Sequence, residues 1–411
     1  MDASSPPPAI DETSRHYPGW RVVATCFAVA TFSWGIGFYG QSVFLAELHR
    51  LHGWPTSLIS TATTFFYVFS AGLVVFISDA MRRFGARACL LAGVGCMATA
   101  TLALGHIDRP WQLYAVHVLM AFGWAGVGLG AITTTLGLWF DRRRGMAISL
   151  ALNGASCGGV FGVPLLVTAI GHLGFATALL ATAVLMIALL VPIILIAIGR
   201  PPLRAASDHD GAPLVALPAS RIRADAFGDF AFLTITTAFS LVLLAQIGFI
   251  VHLVSYLDPV IGRERAAIAV ALMTVMAVAG RVLFSTVIDR LNQRRASAAS
   301  FVSQAAALLV LLGARNEAAI FFACALFGFS VGNVITLPAL IVQREFDSRA
   351  FGVLVSLTAA VGQICGAFGP GVIGLLRDAS GSYTAPLIMC VGLEIAAAAI
   401  ILVRGRGTAA R

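Results

Sequence analysis

The chain has 411 residues, of which 59% are hydrophobic and only 11% charged. Because about a quarter of the residues in a soluble domain are charged, this composition excludes an ordinary soluble protein and predicts a polytopic membrane protein. The net charge of +8 comes from arginine alone, since no lysine is present.

The first segment, residues 1–19, is polar and proline-rich. It lacks the basic and apolar regions of a signal peptide, so we expect a short disordered tail in the cytoplasm. The seven cysteines show no zinc or redox spacing, and no P-loop or Gly-x-Ser-x-Gly motif occurs. The sequence therefore predicts neither an enzyme nor a bound metal or cofactor, and no nucleic-acid partner is expected.

Twelve apolar segments have the roughly 20-residue length that crosses a bilayer as a helix. The predicted spans are about 21–45, 56–78, 87–105, 111–138, 146–170, 174–198, 228–256, 266–288, 297–313, 317–342, 351–376 and 384–403. With both termini inside, 20 arginines fall on the cytoplasmic side and 6 on the other, and Arg281 completes the 27. This asymmetry predicts cytoplasmic termini.

The spans divide into two halves. The longest break, 199–227, is rich in proline and alanine and is predicted to be a flexible cytoplasmic linker. It separates six-helix bundles at 20–198 and 228–404, and 405–411 forms a second tail. Residues 144–162 match 351–369 at an offset of 207, including Gly159 with Gly366. Such a parallel repeat is typical of a transporter whose two bundles rock about a central site.

Glycines in both repeats recur at four-residue spacing: Gly154, Gly158 and Gly162 in span 5, and Gly362 and Gly366 in span 11. Small residues at this spacing let helix backbones approach closely, so we expect helix contacts there.

The twelve spans, the duplication and the loop "DAMRRFGAR" (79–87) resemble the major facilitator superfamily. Within it, "GFYGQSVFLAELHRLHGW" (37–54) and "WFDRRRGMAISLALNGASCGG" (139–159) are similar to the branch of monocarboxylate transporters and oxalate–formate antiporters. The resemblance implies the all-α major facilitator fold and transport of a small organic anion. It also implies that the arginine of span 8, Arg281, binds the anion, although Tyr39 and Ala277 stand where some members carry a lysine and an aspartate.

Arg281 lies inside apolar span 8, eight residues before Asp289. An arginine at mid-membrane is costly on a lipid-facing surface, so we expect it to face the bundle interior. Of the 19 acidic residues, only Glu394 lies well inside a span, and span 12 is peripheral in this fold. Three interpretations remain: Arg281 binds a substrate carboxylate, is satisfied by backbone and amide groups, or reaches Asp289.

Polar and aromatic residues on the other spans are candidates for the substrate site: Tyr39, Gln41, Tyr67, Trp124, Asn153, Gln246, Asn333 and Gln363. Each could instead hydrogen-bond between helices. His117 and His252 are candidates for proton coupling, with packed neutral histidines as the alternative. Charged groups at the cytoplasmic ends of the spans are candidates for gating: Asp79, Arg83, Arg87, Asp141, Arg144, Asp289 and Arg290. For these residues the alternative is that they only set the topology.

The sequence thus predicts a secondary transporter of a small organic anion, moved by alternating access in a bacterial inner membrane. The coupling partner is a proton or a counter-anion, and a monomer is expected. One alternative is efflux of anionic or neutral drug-like molecules. Another is a transporter-like receptor, although the linker and tails are short for a signalling domain.

Overall fold

The computed structural model describes residues 12, 14, 17–199, 219–285, 291–314, 316–334, 336–347 and 350–403, which are helical throughout apart from short connections. Within these residues twelve helices are long and apolar enough to cross a membrane, as predicted. Spans 1 to 12 are, in order, Gly19–His52, Thr56–Val74, Ala86–Leu104, Pro110–Trp139, Arg144–Leu173, Phe175–Ala197, Phe230–Ile261, Arg263–Phe284, Gln293–Gly313, Glu317–Glu345, Phe351–Ser380 and Thr384–Leu402.

Several boundaries differ by a few residues from the predicted ones, and two of the differences change the interpretation. Span 1 continues past residue 45 to His52 and ends at Gly53, whose φ of 65° stops the helix. The charged residues of this last stretch, Glu47 and Arg50, made it resemble a loop. The predicted linker contains a helix at Ala219–Gly228, so its last part is not irregular, and residues 200–218 lie outside the described part of the chain.

The predicted glycine contacts are confirmed in both halves. A Cβ atom on Gly154 or Gly158 would lie 2.1 Å from the Phe27 carbonyl oxygen or 2.5 Å from that of Thr31, so span 5 packs directly on the backbone of span 1. In the second half, a Cβ atom on Gly362 or Gly366 would lie within 2.8 Å of side chains of span 7. The first and fifth helices of each half therefore pack by the same means.

The outward surface is apolar, as a bilayer requires. Span 6 exposes large aliphatic side chains along its length, including Leu180, Val184, Leu185, Ile187, Leu189 and Ile196. These residues would face hydrocarbon, because their exposure to water would be unfavourable.

One cation is fully satisfied inside the second half. Arg294, at the start of span 9, is 3% exposed and makes two 2.7 Å hydrogen bonds to the carboxylate of Glu345. Its remaining N–H groups donate to Thr234 and to the carbonyl oxygens of Ala231 and Ile401. Arg294 therefore ties spans 7, 9, 10 and 12 together at one end of the bundle.

We expect Arg294→Ala to lower the free energy of unfolding by about 3–5 kcal/mol, because Glu345 would keep its charge without a partner. Thermal unfolding of the purified protein in detergent measures the change. Arg82→Ala is the control, since Arg82 forms only an exposed ion pair with Asp79 and should shift the melting temperature little. Equal shifts for the two variants would contradict this role of Arg294.

Candidate functional site

The charged contacts between the two halves lie near one end of the molecule. Among the described residues, every hydrogen bond or ion pair between the halves that involves a charged side chain lies where span 1 joins span 2, span 7 joins span 8 and span 11 joins span 12. We call this end the Glu47 face. The opposite end, where span 2 joins span 3, is the Asp79 face.

Glu47 is the centre of the contact between the halves. Its carboxylate is 1% exposed and lies between two arginines, with Oε1 2.7 Å from Nη1 of Arg263 and Oε2 2.8 Å from Nη2 of Arg50. Arg50 is on the same helix, whereas Arg263 begins span 8 in the other half. The ion pair Glu47–Arg263 is therefore a latch between the halves.

A second contact joins span 2 to span 11. The carboxylate of Asp378 accepts a hydrogen bond from the backbone N–H of Ser57 at 2.6 Å and from Arg377 at 2.8 Å. Deeper in the molecule, the N–H of Gly371 donates to the hydroxyl oxygen of Thr64 at 2.8 Å. Asp378 belongs to span 11, and its carboxylate lies next to the N-terminus of span 2, where the helix dipole favours a negative charge.

His252 is packed beside this second contact. Its Nε2 lies 3.0 Å from the carbonyl oxygen of Pro370, and its Nδ1 lies 3.1 Å from the hydroxyl of Tyr383. Burial raises the pKa of Tyr383, so its hydroxyl stays protonated and can donate to Nδ1. A neutral His252 with its proton on Nε2 thus satisfies both ring nitrogens.

At mid-depth the halves meet through three small or hydroxyl-bearing residues. A Cβ atom on Gly159 would lie 2.6 Å from Oγ1 of Thr274 and 2.9 Å from the ring of Tyr39. The hydroxyl of Thr274 donates to the Val270 carbonyl at 2.9 Å.

Spans 1 and 5, which contribute Tyr39 and Gly159 to this contact, each contain a wide π-helical turn. These turns are Gly35–Tyr39 and Gly158–Gly162. The two turns pack on each other, since a Cβ atom on Gly158 would lie 2.6 Å from the backbone nitrogen of Gly35. Such turns are often found at functional sites. Here they place Tyr39 and Gly159 against span 8.

Arg281 lies seven residues after Thr274 on span 8, which puts both on one face about 10 Å apart. It is half-buried, and its Nε atom is buried without a hydrogen-bond partner. No ion pair or hydrogen bond joins its guanidinium to any other residue that the structure describes. The contact at Thr274 places Tyr39 of the first half on the side of span 8 that carries Arg281.

Two further predicted site residues, Tyr67 and Trp124, are linked to Tyr39 through intervening rings. The Phe38 ring lies 5.0 Å from that of Tyr39 and 6.3 Å from that of Tyr67. The Phe66 ring lies 4.7 Å from that of Tyr67 and 6.0 Å from that of Trp124, which also packs on Trp34 at 4.9 Å. The Tyr67 hydroxyl donates to the Gly37 carbonyl within the first π-helical turn. Tyr39, Tyr67 and Trp124 therefore belong to one aromatic wall of the first half.

Gln41 and His117 are instead joined to each other inside the first half. His117 Nε2 lies 3.3 Å from Oε1 of Gln41, which also accepts from Thr63, and His117 Nδ1 lies 2.8 Å from the Leu113 carbonyl. Both Gln41 and His117 are 1% exposed. This arrangement agrees with the alternative interpretation for Gln41, a hydrogen bond between helices.

The remaining predicted contacts are dispersed. Asn153 and Gln363 are exposed on spans 5 and 11, and Gln246 is buried in span 7 with its Oε1 unpartnered. Asn333 lines a pocket between spans 8, 9 and 10, within the second half. No hydrogen bond among the described residues joins these four side chains to Tyr39, and their contact with a substrate stays a prediction.

Most predicted gating residues lie on the Asp79 face without joining the halves. Asp79 pairs with Arg82 of its own short helix, Ile77–Phe84, rather than with residues 142–144. The backbone N–H of Asp141 donates to Glu12, Arg87 donates to the Ile198 carbonyl, and Arg83 lies over the Phe84 ring. Arg144 is exposed, and Asp289 and Arg290 fall outside the described residues.

Four residues at contacts between the halves were not predicted from the sequence: Glu47, Arg263, Asp378 and Thr274. A charged residue within two or three turns of a span end was interpreted as part of a loop, although span 1 continues to His52. The available signal was the helix-stopping "HGWP" motif at 52–55, which placed the end of span 1 beyond Glu47.

Comparison with known families identifies the scaffold. Residues 25–370 match the family model of the Major Facilitator Superfamily. The fold resembles that of a bacterial homologue of the human lysosomal transporter Spinster, solved in an inward-facing, unoccupied conformation (TM-score 0.72, 14% identity, 95% of each chain). It also resembles a mutant of the nucleoside transporter NupG (TM-score 0.74, 12% identity, 94% of this chain and 99% of that one).

Several relatives are similar in sequence. The MFS-type transporter pynF of Aspergillus niger is 27% identical over all of this chain and 92% of its own length. Monocarboxylate transporter 13 of Bos taurus is 23% identical over 93% of this chain and 88% of its own. Monocarboxylate transporter 3 of Rattus norvegicus is 33% identical over 33% of this chain and 28% of its own.

We expect Glu47→Gln to loosen the Glu47 face, because Arg263 would lose its counter-charge across the halves. Hydrogen–deuterium exchange should become about tenfold faster at the Ser57 and Gly371 amides, which donate across the same interface. Tenfold corresponds to about 1.4 kcal/mol.

The matched control is Glu317→Gln. Glu317 also pairs with an arginine, Arg265, but both lie in the second half. Unchanged exchange at Ser57 and Gly371 in Glu47→Gln, or the same increase in Glu317→Gln, would show that the latch does not hold the halves together.

Proposed function

Since this chain is a transporter of the Major Facilitator Superfamily, we propose that it moves a small organic anion, with a monocarboxylate as the preferred class. Arg281 is the cation that binds the carboxylate. Two rigid bundles rock about this site, so that it opens to one side of the membrane at a time.

The observation that carries this proposal is the unsatisfied guanidinium of Arg281. A buried polar group without a partner is costly, and a charged one more so. A carboxylate would supply two acceptors in the geometry that a guanidinium matches with parallel hydrogen bonds. Tyr39 would provide a hydroxyl at the same place, and Tyr67 and Trp124 an aromatic wall for the body of the anion.

Two interpretations of Arg281 from the sequence receive less support. A structural arginine would resemble Arg294, which fills its hydrogen-bonding capacity with a carboxylate and carbonyl oxygens. Arg281 has no such acceptors among the described residues. Eight residues of continuous helix span about 12 Å, so a pair with Asp289 would need a break in the helix. Asp289 itself lies outside the described residues.

The proposed orientation places the termini and the Asp79 face in the cytoplasm of a bacterium, with the protein acting as a monomer in the inner membrane. The arginine asymmetry of 20 to 6 supports the orientation. The latch at Glu47 would then close the outer side, and Arg281, on the Asp79 side of the Thr274 contact, would be accessible from the cytoplasm.

The coupling partner is a proton or a second anion. An exchanger needs no acid in the site, since each anion neutralises Arg281 in turn. A proton symporter could use the substrate carboxylate itself as the proton's partner. His117, buried beside Gln41, is the candidate for proton coupling, whereas His252 already satisfies both nitrogens in its neutral form.

A second candidate function is export of larger anionic or neutral compounds. The aromatic wall of Phe38, Tyr67, Trp34 and Trp124 would suit a ligand with a ring system. Both functions would use the same site, so a panel of anions of increasing size distinguishes them.

We expect Arg281→Gln to abolish anion uptake into proteoliposomes while the protein remains folded. Arg281→Lys should also lose most activity, because an ammonium group cannot reproduce the planar fork. Uptake of labelled acetate, lactate, oxalate and benzoate, with and without a proton gradient or an internal anion, gives the substrate class and the coupling.

Arg142→Gln is the control for the loss of one positive charge, since Arg142 is exposed on the Asp79 face. It should transport like the unmodified protein. Retained anion affinity in Arg281→Gln would refute the proposed role of Arg281.

A further inference from the structure

A second pocket lies within the second half, between spans 8, 9 and 10 near the Asp79 face. Its volume is about 490 Å³, within the range that holds small ligands. The described residues that line it are Phe284, Leu291, Asn292, Arg295, Ala296, Ala299, Ser300, Ser303, Phe329, Ser330 and Asn333.

The mouth of this pocket is positive. Arg295 lies in the first turn of span 9, is exposed, and makes no ion pair with any described residue. Its neighbour Arg294 points the other way into the bundle, where Glu345 neutralises it. No carboxylate occurs among the described lining residues.

The inner wall offers hydrogen-bond acceptors. Asn333 is 2% exposed, and its Oδ1 atom has no hydrogen-bond partner. The hydroxyls of Ser300 and Ser330 donate to carbonyl oxygens of their own helices, which leaves their oxygen lone pairs available. An unpaired buried acceptor is unfavourable, so a ligand that brings donors to Asn333 would be stabilised.

We propose that this pocket binds a small hydroxylated anion, with a phosphate or carboxylate at Arg295 and hydroxyl groups that donate to Asn333 Oδ1. Arg295 and Ser303 are eight residues apart on span 9, so the pocket is about 12 Å deep. A molecule the size of glycerol phosphate spans the charged mouth and the acceptors. Phe284 and Phe329 cover its carbon atoms.

The ligand can come from two sources, a soluble polyol phosphate or the headgroup of phosphatidylglycerol. Both present the same glycerol phosphate chemistry. The acceptors lie deeper than Arg295, which favours a soluble molecule, because a lipid would hold its phosphate at the membrane surface. The site is separate from Arg281 and does not depend on the proposed transport function.

Calorimetric titration with glycerol 3-phosphate tests the proposal, using purified protein carrying Arg281→Gln so that the transport site is inactive. We expect one binding site in this background. Adding Arg295→Gln should weaken binding at least about tenfold, since a charge-assisted hydrogen bond is lost. Adding Asn333→Leu should weaken it several-fold, and adding Arg142→Gln should leave it unchanged.

Glycerol and inorganic phosphate, titrated separately, should each bind more weakly than glycerol 3-phosphate. The source of the ligand is identified by repeating the titration in nanodiscs of phosphatidylglycerol and of phosphatidylcholine. If glycerol 3-phosphate fails to bind in phosphatidylglycerol but binds in phosphatidylcholine, the site holds the lipid headgroup. Absence of binding in Arg281→Gln, or binding that persists unchanged in the Arg295→Gln variant, would overturn the proposal. Arg295 lies at the surface, so its variant tests the site even if Asn333→Leu does not fold.

Discussion

The structure depends on how each arginine inside or near the membrane meets its need for a negative or polar partner. Arg294 is satisfied completely within one half, and Arg263 is satisfied across the halves by Glu47. Arg281 and Arg295 have no partner among the described residues. The first two arginines stabilise the structure. An unpaired charge is costly in a low-dielectric interior, so the half-buried Arg281 is where we propose that an anion is stabilised, whereas Arg295 is exposed at the mouth of the second pocket.

The packing within each half differs from the contacts between the halves. Within each half, glycines bring the first and fifth helices into backbone contact, and Arg294 ties four helices of the second half at one end. The contacts between the halves include polar ones: one ion pair, two hydrogen bonds from backbone amides and the meeting of Gly159 with Thr274. Polar contacts of this kind can break and re-form as two packed bundles move, whereas the helix packing within a half is retained.

The sequence predicted the span number, the duplication and the glycine contacts, because apolar length and small-residue spacing report directly on helices in a membrane. It could not predict which way each polar side chain points. Arg294 and Arg295 are adjacent in sequence but are turned about 100° apart on span 9, so one is buried and the other lines a pocket mouth.

The same limit applies to the candidate site. A π-helical turn at Gly35–Tyr39 adds a residue to span 1 and rotates the rest of the helix, and beyond this turn Gln41 faces His117. Nothing in the residue types of this segment gave the position of that turn. Asn333 likewise faces spans 8 and 9. Its direction could not be predicted, because a helix with apolar residues on all sides gives no periodicity from which to orient it.

Span 8 connects these features. Arg263, Thr274 and Arg281 are 11 and 7 residues apart, and 18 residues make five helical turns, so all three lie on one face of the helix. At one end of this face Arg263 pairs with Glu47, and in the middle Thr274 meets Gly159 beside Tyr39. Toward the other end lies the unpartnered guanidinium of Arg281. Under the proposed function, an anion that drew Arg281 toward the aromatic wall of the first half would tilt span 8 about its central contact. The same tilt would pull Arg263 away from Glu47, so binding at one end of a single helix face would open the latch at the other.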